Sequence, residues 1–371
     1  MAKDLLTPWE PAILALADGS VFHGSSVGVS GETQGEVVFN TAITGYQEIL
    51  TDPSYAEQII TLTYPHIGNV GVNPNDNESN RVWAAGLIIR ECSITPSNWR
   101  ATQSLPHFLQ QHNIVAIAHI DTRRLTRLLR EKGAQSGCIM TGKIDASTAV
   151  EKARAFSGLN GKDLTNFVST KKSFQYNGIK ITAKKYHVVV LDMGVKRNIL
   201  SLLAHRDCAV TVLPAQSHWE DIIACKPDGI LLSNGPGDPA ACHRIIAMVR
   251  ALLMQRIPML GICLGFQLIA LACGAKTVKM KLGHHGTNHP VQALISKQVF
   301  ITSQNHGFTV DRNTLPNELV VTHISLFDGS LQGFQHKTLP VLAFQGHPEA
   351  SPGPQEMMTL FDDFIRLIAE R

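Results

Sequence analysis

A thiol set between glycines, Gly261-Ile262-Cys263-Leu264-Gly265, follows an apolar segment at 258–262 and opens a helix-forming one at 264–272. That is the strand-to-helix nucleophile elbow, with cysteine where serine usually stands. Glycines two residues to either side bring no Cβ into the sharp corner. The elbow would hold Cys263 at the top of a sheet and at a helix N-terminus. A helix N-terminus and a nearby imidazolium both favour a thiolate. The plain alternative is a buried core cysteine, which is the reading for Cys273; the flanking glycines set Cys263 apart.

A cysteine nucleophile needs a base, and the base needs something to orient it. Gln345-Gly346-His347-Pro348-Glu349 follows an apolar strand at 341–344. In extended chain, residues two apart face the same side, so His347 and Glu349 can point to one place. Glu349 would then fix the imidazole tautomer and stabilise its charged form. Alone, H-x-E is a weak signal; beside an elbow it carries weight. Ser233-Asn234-Gly235-Pro236-Gly237-Asp238-Pro239 follows the strand at 229–232. Asp238 can cap the next helix, with Pro239 in its first turn. An ordinary tight turn and a phosphate loop are both open readings, although the G-K-[ST] ending is missing. The better reading is a source of backbone N–H groups for an oxyanion. The segment Gly283-His284-His285-Gly286-Thr287-Asn288-His289-Pro290 looks metallic, but it lacks the acid of H-E-x-x-H, and Gly286 and Pro290 oppose a helix there. No metal site is expected.

These residues need a scaffold. From 186 onward, apolar strands (186–192, 209–213, 229–232, 258–262) alternate with helical segments (196–206, 219–225, 239–255, 264–272), and residues 276–348 are more β-rich. Strands that are apolar throughout predict a parallel sheet covered on both faces, with ligands beyond its carboxyl ends. A closing helix is expected at 355–369. The expected fold is α/β: a C-terminal doubly wound, mostly parallel sheet with a smaller N-terminal α/β domain. The expected divisions are 1–168, a polar linker at 169–185 that includes Lys171, Lys172 and Lys184, and 186–371. In the N-terminal part, residues 12–17 read as a strand running into Asp18-Gly19. Asp121 reads as the cap of a helix that ends at Gly133, with Leu125, Leu128 and Leu129 inside. Its Arg123, Arg124, Arg127 and Arg130 read as a solvated face, or else as a docking surface.

Composition limits the function classes. The 371 residues are 44% hydrophobic and 17% charged, with a net charge of +3, so neither nucleic acid nor an anionic membrane is an expected partner. Seven cysteines, without any C-x-x-C, suit a reducing compartment rather than a disulfide framework. The run at 12–17 is too short to span a bilayer, and the acidic Asp4 and Glu10 before it are wrong for a leader peptide. A cytoplasmic protein is expected.

Taken in this order, G-I-C-L-G, S-N-G-P-G-D-P and G-H-P-E resemble the class I glutamine amidotransferase family from about residue 186 to the C-terminus. The N-terminal half resembles the small chains of carbamoyl phosphate synthetases through Thr44-Gly45-Tyr46-Gln47-Glu48-Ile49-Leu50-Thr51-Asp52-Pro53-Ser54-Tyr55, Tyr64-Pro65-His66-Ile67-Gly68-Asn69 and the helix at 120–133. The resemblance implies a Cys263–His347–Glu349 triad that hydrolyses the side-chain amide of L-glutamine. It implies oxyanion donors at the N–H groups of Leu264 and Gly235, and a glutamine site lined by Ser54, Gly237, Gln267, Asn305, Gly307 and Phe308. Without it, Asn305-His306-Gly307-Phe308 reads only as a turn. Phe266 departs from the family, whose small chains often carry His there.

The resemblance also implies a large partner subunit that uses ATP, Mg and bicarbonate to make carbamoyl phosphate for arginine and pyrimidine synthesis, and no cofactor in this chain. The sequence shows neither a Walker A motif nor a dinucleotide fingerprint. The rival readings are a glutaminase subunit of another synthetase, a cysteine hydrolase with the same elbow, and a non-catalytic regulatory subunit.

Overall fold

The computed structural model describes residues 9–93, 95–178 and 185–371. Asp4 and Lys184, both used in the reading above, lie outside the described residues. The chain divides into two compact units: one runs up to Asn160 and includes Lys281–His285, the other comprises Gly161–Met280 and Gly286–Arg371. Among the described residues no helix is long and apolar enough to cross a membrane.

In the first unit, seven strands close into a barrel. Their order is Pro11–Leu16, Val21–Ser26, Ala116–Ala118, Gly86–Ile88, Gln58–Leu62, Glu32–Asn40 and Gln135–Thr141. Leu14, Leu16, Val37, Ile59, Ile88, Ile117 and Ile139 come from all but one of these strands and pack together. The first hairpin turns at Asp18-Gly19, where Gly19 takes φ 92° and Asp18 Oδ1 accepts the Ser20 N–H at 2.9 Å. The helix Thr122–Lys132 is capped as its sequence predicts: Asp121 accepts the Arg124 N–H at 2.9 Å, and Gly133 ends it at φ 96°. Leu125 and Leu129 are buried, while Arg123, Arg127 and Arg130 are exposed. Barrel closure was not foreseen, because pairing between strands far apart in sequence leaves no local signature.

The second unit is built on a ten-stranded sheet. Its centre is parallel, in the order Cys208–Pro214, Tyr186–Asp192, Gly229–Leu232, Met259–Ile262, Val341–Phe344. Antiparallel strands Leu331–His336 and Leu319–Ser325 extend it on one side. Alternate residues serve opposite faces. Val189, Leu191, Ile230, Leu232 and Met259 pack with helices Trp219–Ala224, His243–Met254 and Leu264–Ala272. Val188, Val190, Leu231, Leu260 and Ile262 pack with helices Arg197–Ala204 and Thr359–Ala369. The sheet is therefore doubly wound, as uniformly apolar strands require.

Several expectations need correcting. The helix expected at 239–255 is broken. Asp238 caps only a 3-10 turn, Pro239–Ala241, and the α-helix His243–Met254 starts afresh beyond Cys242. The closing helix likewise begins with a 3-10 turn, Glu356–Met358, before Thr359–Ala369. Within the stretch read as a linker, Phe174–Gln175 pairs as an edge strand with Cys208–Pro214. Asn305-His306-Gly307-Phe308 is no turn: it lies inside the strand Val299–Val310.

Candidate active site

Cys263 sits where the strand Met259–Ile262 meets the helix Leu264–Ala272. Its backbone is turned to φ 53°, a left-handed conformation uncommon for a residue with a Cβ. The flanking glycines leave out a Cβ where the corner is tightest, as the motif suggested. A Cβ on Gly265 would lie 2.2 Å from the Leu232 carbonyl oxygen, and one on Gly261 would lie 2.8 Å from the Gly265 backbone. The corner is tied down by the Cys263 N–H to the Phe344 carbonyl at 2.9 Å and by the Gly265 N–H to the Ser233 carbonyl at 3.1 Å. Gly265→Ala must push backbone against backbone, and overpacking of this kind destabilises by about 1–3 kcal/mol. The urea-unfolding midpoint should fall accordingly; a wild-type midpoint would mean that the corner has slack.

His347 follows the neighbouring parallel strand, Val341–Phe344. Its N–H donates to the Ser303 carbonyl at 2.9 Å. Its Nδ1 meets Glu349 Oε1 at 2.6 Å, so the two-residue spacing does bring both side chains together. Lys196 Nζ donates to the same Oε1 at 3.0 Å and also to the Ala350 carbonyl. All three side chains are buried. Burial opposes a charge on His347, yet the Glu349 carboxylate, and after it Cys263, raise its proton affinity well above the ordinary imidazole value. Burial also opposes ionisation of Glu349, but Lys196 and then His347 outweigh it and hold the carboxyl below its usual range. Among the described residues the other ring nitrogen of His347, Nε2, makes no hydrogen bond of ordinary geometry, although Cys263 acts on the ring.

The loop Ser233–Gly237 lies against the elbow. A Cβ on Gly235 would fall 2.1 Å from the Met193 carbonyl oxygen and 2.8 Å from Leu264 Cδ2. Gly237 takes φ 94°, and the following Asp238 N–H donates to the Lys162 carbonyl at 2.9 Å. Leu264 opens its helix, where the first N–H groups have no intrahelical acceptor. The loop at Gly235 packs against the Leu264 side chain, next to Cys263 in the chain. Asn305, Gly307 and Phe308 lie on Val299–Val310. The Asn305 carbonyl accepts from the Cys263 thiol at 3.5 Å, and the Phe308 carbonyl accepts from Gln267 Nε2 at 2.8 Å. Ser54 belongs to the first unit, in a 3-10 turn capped by Asp52. Phe266, the departure from the family pattern, is a core residue that packs 4.9 Å from the Phe334 ring. The histidine-rich segment is part of the continuous strand Thr277–Ala293. Among the described residues no group of three or more His, Cys, Asp or Glu is placed to hold a metal ion.

Sequence reasoning missed Lys196 and Gln345. Lys196 precedes the helix Arg197–Ala204 and reads as a solvated lysine; only the fold brings it to Glu349. Gln345 accepts from Gln267 Nε2 at 3.0 Å. Its signal was available, since it shares the two-residue spacing with His347 and Glu349.

Comparison with known proteins gives the family. Residues 14–139 match the family model described as carbamoyl-phosphate synthase small chain, CPSase domain. Residues 189–367 match glutamine amidotransferase class-I. The carbamoyl phosphate synthase small chain of Thioalkalivibrio sulfidiphilus is 58% identical over 368 residues, covering 96% of this chain and 97% of the relative. That of Pseudomonas aeruginosa is 58% identical over 376 residues, covering 98% and 99%. That of Pasteurella multocida is 58% identical over 365 residues, covering 96% and 95%. The chain belongs to the carbamoyl phosphate synthase small chain family, and its C-terminal half is a class-I glutamine amidotransferase domain.

Proposed function

We propose that this chain is the glutamine-hydrolysing subunit of a carbamoyl phosphate synthase. In this reading Cys263 is the nucleophile, His347 the general base and acid, and Glu349 the group that orients and charges the imidazole. The supporting observation is the 2.6 Å bond from His347 to Glu349, just beyond the strand next to the one that presents Cys263. The thiolate attacks the side-chain amide carbon of L-glutamine. The N–H groups of Leu264 and Gly235 receive the oxyanion. His347 protonates the departing ammonia, then activates the water that cleaves the thioester to glutamate. Gly237, Gln267, Asn305, Gly307 and Phe308 line the glutamine site.

Ammonia released into water at neutral pH becomes mostly ammonium, a poor nucleophile. The chain therefore hands it to a large subunit, where ATP, Mg and bicarbonate are used to make carbamoyl phosphate for arginine and pyrimidine synthesis. The protein works in the cytoplasm, and this chain needs no cofactor of its own. Alone, it should hydrolyse glutamine slowly, since untimed hydrolysis is wasteful. A coupled assay tests this: supply glutamine, ATP and bicarbonate with and without the large subunit, and follow glutamate and carbamoyl phosphate together. Both products should rise in step once the partner is added. Glutamate without carbamoyl phosphate would overturn the assignment of the partner, and a fast lone chain would overturn the expected restraint.

A further inference from the structure

We propose that Gln345 is a positioning residue for substrate selection, which holds the Gln267 amide in one orientation and ties it to the segment bearing His347. The inference rests on the reading above that Gln267 lines the glutamine site. Gln267 lies one helical turn beyond Cys263, and its N–H donates to the Cys263 carbonyl at 3.2 Å. Its side-chain nitrogen donates to the Phe308 carbonyl at 2.8 Å and to Gln345 Oε1 at 3.0 Å. A backbone carbonyl can only accept, so the amide cannot be turned over without setting two oxygens face to face. Both amide hydrogens are thereby used. What Gln267 can still offer a substrate is its oxygen, an acceptor for a donor group.

Gln345 is fully buried and stands two residues before His347, the spacing that also joins His347 to Glu349. Its N–H donates to the Gln332 carbonyl at 2.8 Å, which fixes its backbone on the sheet. Its own Nε2 is buried without a partner among the described residues. A buried amide N–H left unpaired is destabilising, and an apolar side chain of the same length would avoid that. Packing alone therefore does not account for an amide at this position, whereas an acceptor for Gln267 does. Through this one bond, the helix that starts at the nucleophile is held in register with the segment that carries the base.

The test is steady-state glutaminase kinetics on the full chain with its large subunit, for Gln345→Met, Gln345→Glu, Gln267→Met and the double Met variant. Gln345→Met should raise KM for glutamine about three- to tenfold, with kcat within about twofold, as expected for one lost hydrogen bond. Gln345→Glu keeps an oxygen facing Gln267 and should bring KM back to within about threefold of wild type. The double variant should be no worse than Gln267→Met alone, because both changes break one interaction. An unchanged KM in Gln345→Met, or additive effects in the double variant, would overturn the proposal. If Gln345→Met does not fold, the Glu variant decides: folded with a KM raised tenfold or more, it too overturns it. A wild-type KM in Gln267→Met would instead remove Gln267 from the substrate site, a separate failure.

Discussion

Cys263→Ala should lower glutamine-dependent carbamoyl phosphate synthesis by about 10³-fold or more, while synthesis from added ammonia by the assembled enzyme continues. The substitution removes the sulfur on which the proposed thioester would form and little else. Alanine keeps the Cβ, so the φ of 53° at the elbow is neither eased nor worsened, and the backbone bond to Phe344 does not involve the side chain. Urea unfolding should therefore change little, which separates chemistry from folding. The other thiols offer no substitute. Burial pushes Cys92 and Cys208 up to about 12, and Cys138 and Cys273 up to about 11, so these stay protonated at neutral pH. Among the described residues, Cys263 is the thiol that acts on an imidazole with a buried carboxylate behind it. The measurement is carbamoyl phosphate formation with glutamine and with ammonia, side by side. Loss of both activities would place Cys263 in assembly or ammonia passage, and loss of neither would end its role as nucleophile.

How much of this was legible in the sequence depended on whether the signal was local. The elbow, the H-x-E pair and the Asp121 cap are short patterns whose geometry is set within a few residues, and each appears where its spacing places it. The parallel core was legible because strands buried on both faces are apolar at every position. The strand Val299–Val310 was hidden for the opposite reason. Its buried stretch, Thr302-Ser303-Gln304-Asn305-His306, is polar and makes its hydrogen bonds inside the protein, so it reads as a loop. Gln304, for instance, donates to Thr302 at 2.9 Å and to Gln332 at 2.8 Å. Lys196 was hidden because its partner is 153 positions away. A lysine before a helix is ordinary until the fold sets a buried carboxylate beside it.

That buried lysine governs the second large effect. Glu349→Gln should destabilise the protein by about 3–5 kcal/mol, since it takes the carboxylate away from the buried charge of Lys196. The loss of activity should be smaller, about tenfold. The amide oxygen can still accept from His347 Nδ1 and keep the ring in place, and only the charge-assisted part of that bond is lost. The pH dependence gives an independent check. Glu349 is held below its ordinary 4.5, so its contribution is present above that value and is lost as pH falls through the depressed one. His347 is held above its ordinary 6.5, so its contribution is complete below that value and is lost as pH rises through the raised one. The pair stabilises most fully between those two ordinary values; in alkali it weakens progressively above the ordinary imidazole value, and the His347 contribution is gone beyond the raised one. Unfolding measured across this range should show a plateau in the wild type that Glu349→Gln flattens. Lys196→Met should destabilise less, because it leaves a neutral His347–Glu349 pair rather than a buried charge that has lost this carboxylate. It should also let the Glu349 carboxyl titrate higher, so the acid limb of the plateau moves up. If Glu349→Gln matched the wild type at every pH, Lys196 and His347 could not both be charged in the folded protein, and the imidazolium that the thiol chemistry needs would have to come from somewhere other than this carboxylate.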